Sequence, residues 1–195
     1  MSQFWLYFRL GLEHVLDWNA YDHILFLIVL VASYSFLAWK RVFWLVTIFT
    51  LGHTLSLFLS VYEIVLVDTA WVEFLIPITI LITAIFNILN AKKRENKNNI
   101  SVLYFTTAFF GIIHGLGFST YFKMISRGTD HVFLPLLEFA LGIEAAQIIV
   151  VIAVLFLGFL LQNVLQVARR DWILVVSAIV IGIILPILKE NYLAL

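Results

Sequence analysis

Six apolar runs set the terms for everything else in this 195-residue chain: Tyr21 to Trp39, Val42 to Ile64, Thr69 to Leu89, Ser101 to Phe122, Val132 to Gln162 and Trp172 to Leu188. At about 1.5 Å of rise per helical residue, each can cross roughly 30 Å of bilayer hydrocarbon. Hydrocarbon offers no partner to backbone N–H and C=O groups, so spanning segments must be helices or parts of a closed barrel; runs this long select helices. The chain is 63% hydrophobic and 12% charged, with a mean hydropathy of +1.05, more apolar surface than a soluble core of this size buries. The expected fold is all-α, a polytopic transmembrane bundle of six spans forming one domain over residues 1–195.

Two segments qualify that picture. Phe4 to Leu16 carries Arg9, Glu13 and His14. It therefore lacks the unbroken apolar stretch of a signal peptide and reads as a retained short helix, interfacial or tucked between the spans as a re-entrant element. The run from Val132 to Gln162 exceeds one crossing, so it is tilted, projects beyond the bilayer, or breaks near Gly142 or Gly158. The strongly polar stretch at 91–100 joins two halves of three spans each. Asp22-His23-Ile-Leu-Phe26 and Asp130-His131-Val-Phe133, with a Gly/His pair in each of the second and fourth runs, hint at an internal duplication.

Positive charge sets the orientation. Lys40, Arg41, Lys92, Lys93, Arg94, Lys97, Arg169 and Arg170 fall in the loops after spans one, three and five, whereas Arg9, Lys123, Arg127 and Lys189 fall on the other side. The richer side is expected to be cytoplasmic. Both termini then face outward from what reads as a bacterial inner membrane. Trp5, Trp18, Trp39, Trp44, Trp71 and Trp172 lie near span ends, as an interfacial aromatic belt requires.

Polar side chains inside hydrocarbon cost a few kcal/mol each and mark functional sites. Here they are Asp22, His23, His53, Glu73, His114, Glu138, Glu144 and Gln147. The orientation places all of the ionisable ones in the outer half, so several spans deliver imidazole or carboxylate to a similar depth. Glu144 and Gln147 share a helix face, as do His53 and Ser56, each pair able to supply one ligand and one supporting group. Gly52, Gly115, Gly117 and Gly142 flank them and permit close helix approach. Glu73 and Glu138 also suit helix N-terminal caps. His131 reads as a solvated loop residue. With no cysteine in the chain, thiolate sites and disulfides are excluded, and imidazole with carboxylate favours a divalent ion such as Ni, Co, Zn or Cu over Mg or Ca. A formal net charge of zero gives no reason to expect a nucleic-acid partner.

Gly11-Leu-Glu-His14, Tyr21-Asp-His23-Ile-Leu-Phe26, Phe49-Thr-Leu-Gly-His53-Thr-Leu-Ser56, Phe110-Gly-Ile-Ile-His114-Gly-Leu-Gly-Phe118 and Gly142-Ile-Glu144-Ala-Ala-Gln147 follow one another in fixed order. In this the chain resembles the HupE/UreJ family of hydrogenase and urease accessory membrane proteins. That family is associated with nickel or cobalt uptake. The resemblance implies that His14, Asp22, His23, His53, His114, Glu144 and Gln147 are its polar motif positions here, and Glu73 matches a family glutamate. His14-x7-Asp22-His23 is similar in kind to the His-x4-Asp-His signature of nickel/cobalt permeases, with a longer separation.

The leading expectation is a divalent-metal permease or metal-binding transport component, with membrane lipid and the metal ion as partners and a homo-oligomer allowed. An inward path would have Asn87 and Asn90 to line it. The alternative is an intramembrane zinc-type hydrolase built on the same cluster, with Glu144 or Asp22 as base. A sensor that binds metal without moving it ranks last.

Overall fold

A helix that ends inside a membrane protein must have its last carbonyls met by something other than water. That requirement explains the main departure from the expected topology. In the structure, a computed structural model that describes residues 2–17, 21–92, 100–126 and 131–195, the first apolar run does not form one span. It forms a ten-residue helix α2 (Asp22–Val31), then a turn and a 3-10 segment (Phe36–Ala38), and Trp39 already begins the next helix. At about 15 Å, α2 is too short to cross. It is buried on nearly every side, as a helix apolar all round should be. Carbonyls in and just past its last turn are met by distant side chains. Val29 accepts from Asn87 Nδ2 at 2.6 Å, Ala32 from Trp172 Nε1 at 3.1 Å and Ser33 from Arg169 at 2.7 Å.

The other helices are α1 (Gln3–Leu16), α3 (Trp39–Val61), α4 (Thr69–Asn90), α5 (Ile100–Ile125), α6 (Phe133–Phe159) and α7 (Arg169–Leu193). Five of them, α3 to α7, are long and apolar enough to cross a membrane among the described residues, so the expected six becomes five and a short buried helix. This is an integral membrane protein of all-helical class. The long run at α6 is one helix through both Gly142 and Gly158, and its last turn widens to a π-helix over Leu160–Val164.

Helices pair most extensively as α3 with α5, α1 with α6 and α4 with α7. Two of these pairings are glycine crossings. A Cβ on Gly52 of α3 would strike the Ala108 carbonyl oxygen of α5, and one on Gly111 of α5 would strike that of Phe49. The α1–α6 crossing is equally reciprocal, Gly11 against the Phe139 carbonyl and Gly142 against that of Phe8. Close backbone approach of this kind holds helices together where lipid gives no hydrophobic drive. It also decides where α1 lies: Tyr7, Gly11 and Val15 form a buried stripe against α6, while Arg9 and Glu13 pair on the exposed face at 2.6 Å. Of the two placements open to this segment, α1 takes the tucked one.

The third pairing turns on a proline. Pro77 has no N–H, so the Glu73 carbonyl four residues earlier loses its helical partner. Asn191 of α7 donates to it at 2.6 Å. Of the tryptophans expected near span ends, Trp5, Trp39, Trp44 and Trp71 are exposed, whereas Trp172 is buried and spends its indole N–H on α2. Trp18, Asp130, Arg127 and most of the linker at 91–100 lie outside the described residues.

Candidate metal centre

The imidazoles arrive on separate elements. His14 comes from the last turn of α1, His23 from the first turn of α2, His53 from mid-α3 and His114 from α5. The α1–α6 and α3–α5 crossings set their spacing, because Gly11 lies three residues before His14 and Gly52 and Gly115 adjoin His53 and His114.

His14, His23 and His53 each offer a ring nitrogen, and the three nitrogens lie within 4.8 Å of one another. Ring centroids are 4.6 Å apart for His14 and His23 and 5.6 Å for each with His53. A tetrahedral ion with bonds of about 2.1 Å would bring such donors to about 3.4 Å, so modest side-chain rotations close the set. His114 stands beside it, its ring 5.1 Å from His23.

The hydrogen bonds leave the right atoms free. His114 Nδ1 donates to the Phe110 carbonyl at 2.9 Å, and His23 Nδ1 lies 3.2 Å from Asp22 Oδ1, which also accepts from the His23 backbone N–H at 2.9 Å. A proton on Nδ1 puts a lone pair on Nε2. In all four histidines Nε2 is buried without a partner, and for His53 so is Nδ1. His53 is 0% exposed. Buried polar nitrogens ordinarily find partners, and among the described residues five imidazole nitrogens stand here without one. Phe118 packs on His14 at 3.8 Å, and Phe26 and Phe49 flank His114, giving the centre dry walls.

A cavity of about 1190 Å³ runs from His14, His23 and His114 to the end of the bundle where α4 begins and α7 finishes. Glu13, Asp17, Asp22, Glu73 and Glu190 line it, and among the described residues no Lys or Arg does. This end is opposite the first turns of α3 and α7, which carry Lys40, Arg41, Arg169 and Arg170.

The family profile described as HupE / UreJ protein matches residues 1–189. The chain belongs to that family. No curated protein and no solved structure matches it. In this HupE / UreJ protein the imidazoles picked out by sequence do converge, with Asp22 against His23. The other polar positions are placed differently. Glu144 lies on α6 with Oε1 accepting from Thr47 Oγ1 at 2.6 Å and Oε2 accepting from the Thr50 hydroxyl; Gln147 lies beside Thr50. Ser56 donates to the His53 carbonyl at 2.8 Å, not to the ring. Glu73 is exposed and lines the cavity, while the α4 cap is Asp68, which accepts from the Ala70 N–H at 3.0 Å. Glu138 is buried with Oε2 unpartnered, and His131 is exposed. Asn87 and Asn90 each donate from Nδ2 to a backbone carbonyl, of Val29 and Phe86.

Sequence reasoning missed Thr47 and Thr50. Their signal was spacing: Thr47 and Thr50 are three positions apart on α3 and so share a face.

Proposed function

We propose that this HupE/UreJ chain is a permease, or the metal-binding component of one, for a divalent transition metal of the nickel/cobalt type. His14, His23 and His53 are the proposed ligands, with His114 as a fourth imidazole and Asp22 orienting His23. The carrying observation is that four histidines each hold a buried Nε2 without a partner, and that three of them, His14, His23 and His114, line a cavity that carboxylates line too. Imidazole nitrogens select borderline ions over Mg or Ca, and the carboxylates raise the local concentration of cations. By the distribution of Lys and Arg the cavity faces outward, and both termini with it, in a bacterial cytoplasmic membrane.

The same donors could serve a zinc hydrolase, but a base is then needed within reach of a metal-bound water. Asp22 is engaged by His23, and Glu144 by Thr47 and Thr50. Glu144 being held on both oxygens and Asp22 orienting His23 supports transport over catalysis. The test is uptake of radioactive nickel and cobalt by cells expressing the wild type, His53→Ala or His114→Ala at equal membrane abundance. Uptake above background in the wild type and its loss in both variants supports the reading; equal uptake in all three defeats it.

A further inference from the structure

Between α3 and α6 lies a second polar group that the imidazoles do not use. Glu144 accepts from the hydroxyls of Thr47, at 2.6 Å, and Thr50. Thr50 Oγ1 is also 3.0 Å from Gln147 Oε1 and 3.2 Å from the Val46 carbonyl oxygen. Four oxygen–oxygen contacts are thus shared by only two hydroxyl protons. If both hydroxyls donate to the ionised carboxylate, Thr50 Oγ1 faces two further acceptors with no proton between them. Gln147 is 0% exposed and its Nε2 has no partner. Turning that amide over puts an N–H on Thr50 and strands the carbonyl oxygen instead, so either orientation leaves a buried polar atom unmet.

An excess of oxygen lone pairs converging around one negative charge is the donor set of a hard cation. The single carboxylate balances a single positive charge. A divalent ion here would leave a net charge in the bundle, which the surrounding hydrocarbon penalises. We propose that Thr47, Thr50, Glu144 and Gln147 form a monovalent-cation site that takes sodium, separate from the imidazole centre. With sodium bound, the Thr50 hydroxyl turns its proton to the Val46 carbonyl and offers its lone pairs to the ion. Thr50 is one turn before His53 on α3, so the two sites act on the same stretch of helix. The site goes beyond the metal reading and would supply a permease with its driving ion.

The test is binding of radioactive sodium to the purified full-length protein in detergent, with nickel absent so that the result does not depend on the imidazole centre. Wild type, Glu144→Gln, Thr50→Val and Thr50→Ser are compared after gel filtration and thermal unfolding show each to be folded. Saturable binding, displaced by sodium chloride and not by choline chloride, should weaken about tenfold or more in Glu144→Gln and Thr50→Val and return in Thr50→Ser, which keeps the hydroxyl. If Glu144→Gln misfolds, the Thr50 pair decides. No saturable sodium binding by the folded wild type, as for a carboxyl that holds only a proton, overturns the proposal. So does undiminished binding by Thr50→Val.

Discussion

Asp22 holds His23 at two points with one oxygen: Oδ1 accepts from the His23 backbone N–H at 2.9 Å and faces its Nδ1 at 3.2 Å. The carboxylate thereby fixes both the ring orientation and the tautomer that aims Nε2 at His14 and His53. Asp22→Asn keeps the size and loses the charge, so nickel affinity of the purified protein, measured by titration calorimetry, should fall about 10- to 100-fold. An unchanged affinity would mean that Asp22 does not support the centre.

The carboxylates along the cavity act at longer range. Neutralising Glu13, Glu73 and Glu190 together as Gln leaves the imidazoles intact but removes attraction for cations. Initial uptake at low metal concentration should drop several-fold at low ionic strength, and the difference from wild type should shrink at about 0.15 M salt, where the Debye length is about 8 Å. An equal deficit at both ionic strengths would point to structural damage instead.

The glycine crossings bear on stability. Gly142→Val sets a branched side chain against the Phe8 carbonyl and must push α1 from α6, so overpacking should cost about 1–3 kcal/mol or more. Because α1 carries His14, detergent-solubilised Gly142→Val should show both a lower unfolding temperature and weaker metal binding. Gly182 is the control, since nothing lies within 4 Å of a Cβ there and Gly182→Ala should match the wild type.

Asn87 distinguishes a cap from a path. Asn87→Leu strands the Val29 carbonyl, a buried loss of about 1–3 kcal/mol. The account predicts a lower melting temperature with transport per folded molecule unchanged. A selective fall in transport rate at unchanged stability would restore Asn87 to an inward path.

Much of this molecule can be read from its chain, for identifiable reasons. Runs of apolar residues report their environment directly, which is why α3 to α7 match the expected spans within a few residues. The α2 segment deceives because Tyr21 to Trp39 is apolar over most of its length, while the groups that let it end at Val31 are Asn87, Arg169 and Trp172, remote in sequence. Trp172 misleads for the same reason, a residue at a span end whose partner is 140 positions away. The histidines were legible because imidazole is costly in hydrocarbon wherever it points. Glu144 was equally visible as a cost, but its engagement with Thr47 and Thr50 depends on how α3 and α6 face each other. Threonine inside a helix usually returns its hydroxyl to its own backbone, as Thr79 and Thr83 do, so it raises no alarm in a sequence.

The most direct test of the metal centre is anomalous diffraction at the nickel edge from crystals of the nickel-loaded protein. The account predicts one strong peak enclosed by His14, His23 and His53 at about 2 Å from their ring nitrogens, absent in His53→Ala. A loaded wild-type crystal with no peak among these imidazoles, or with metal only on the cavity carboxylates, would contradict it.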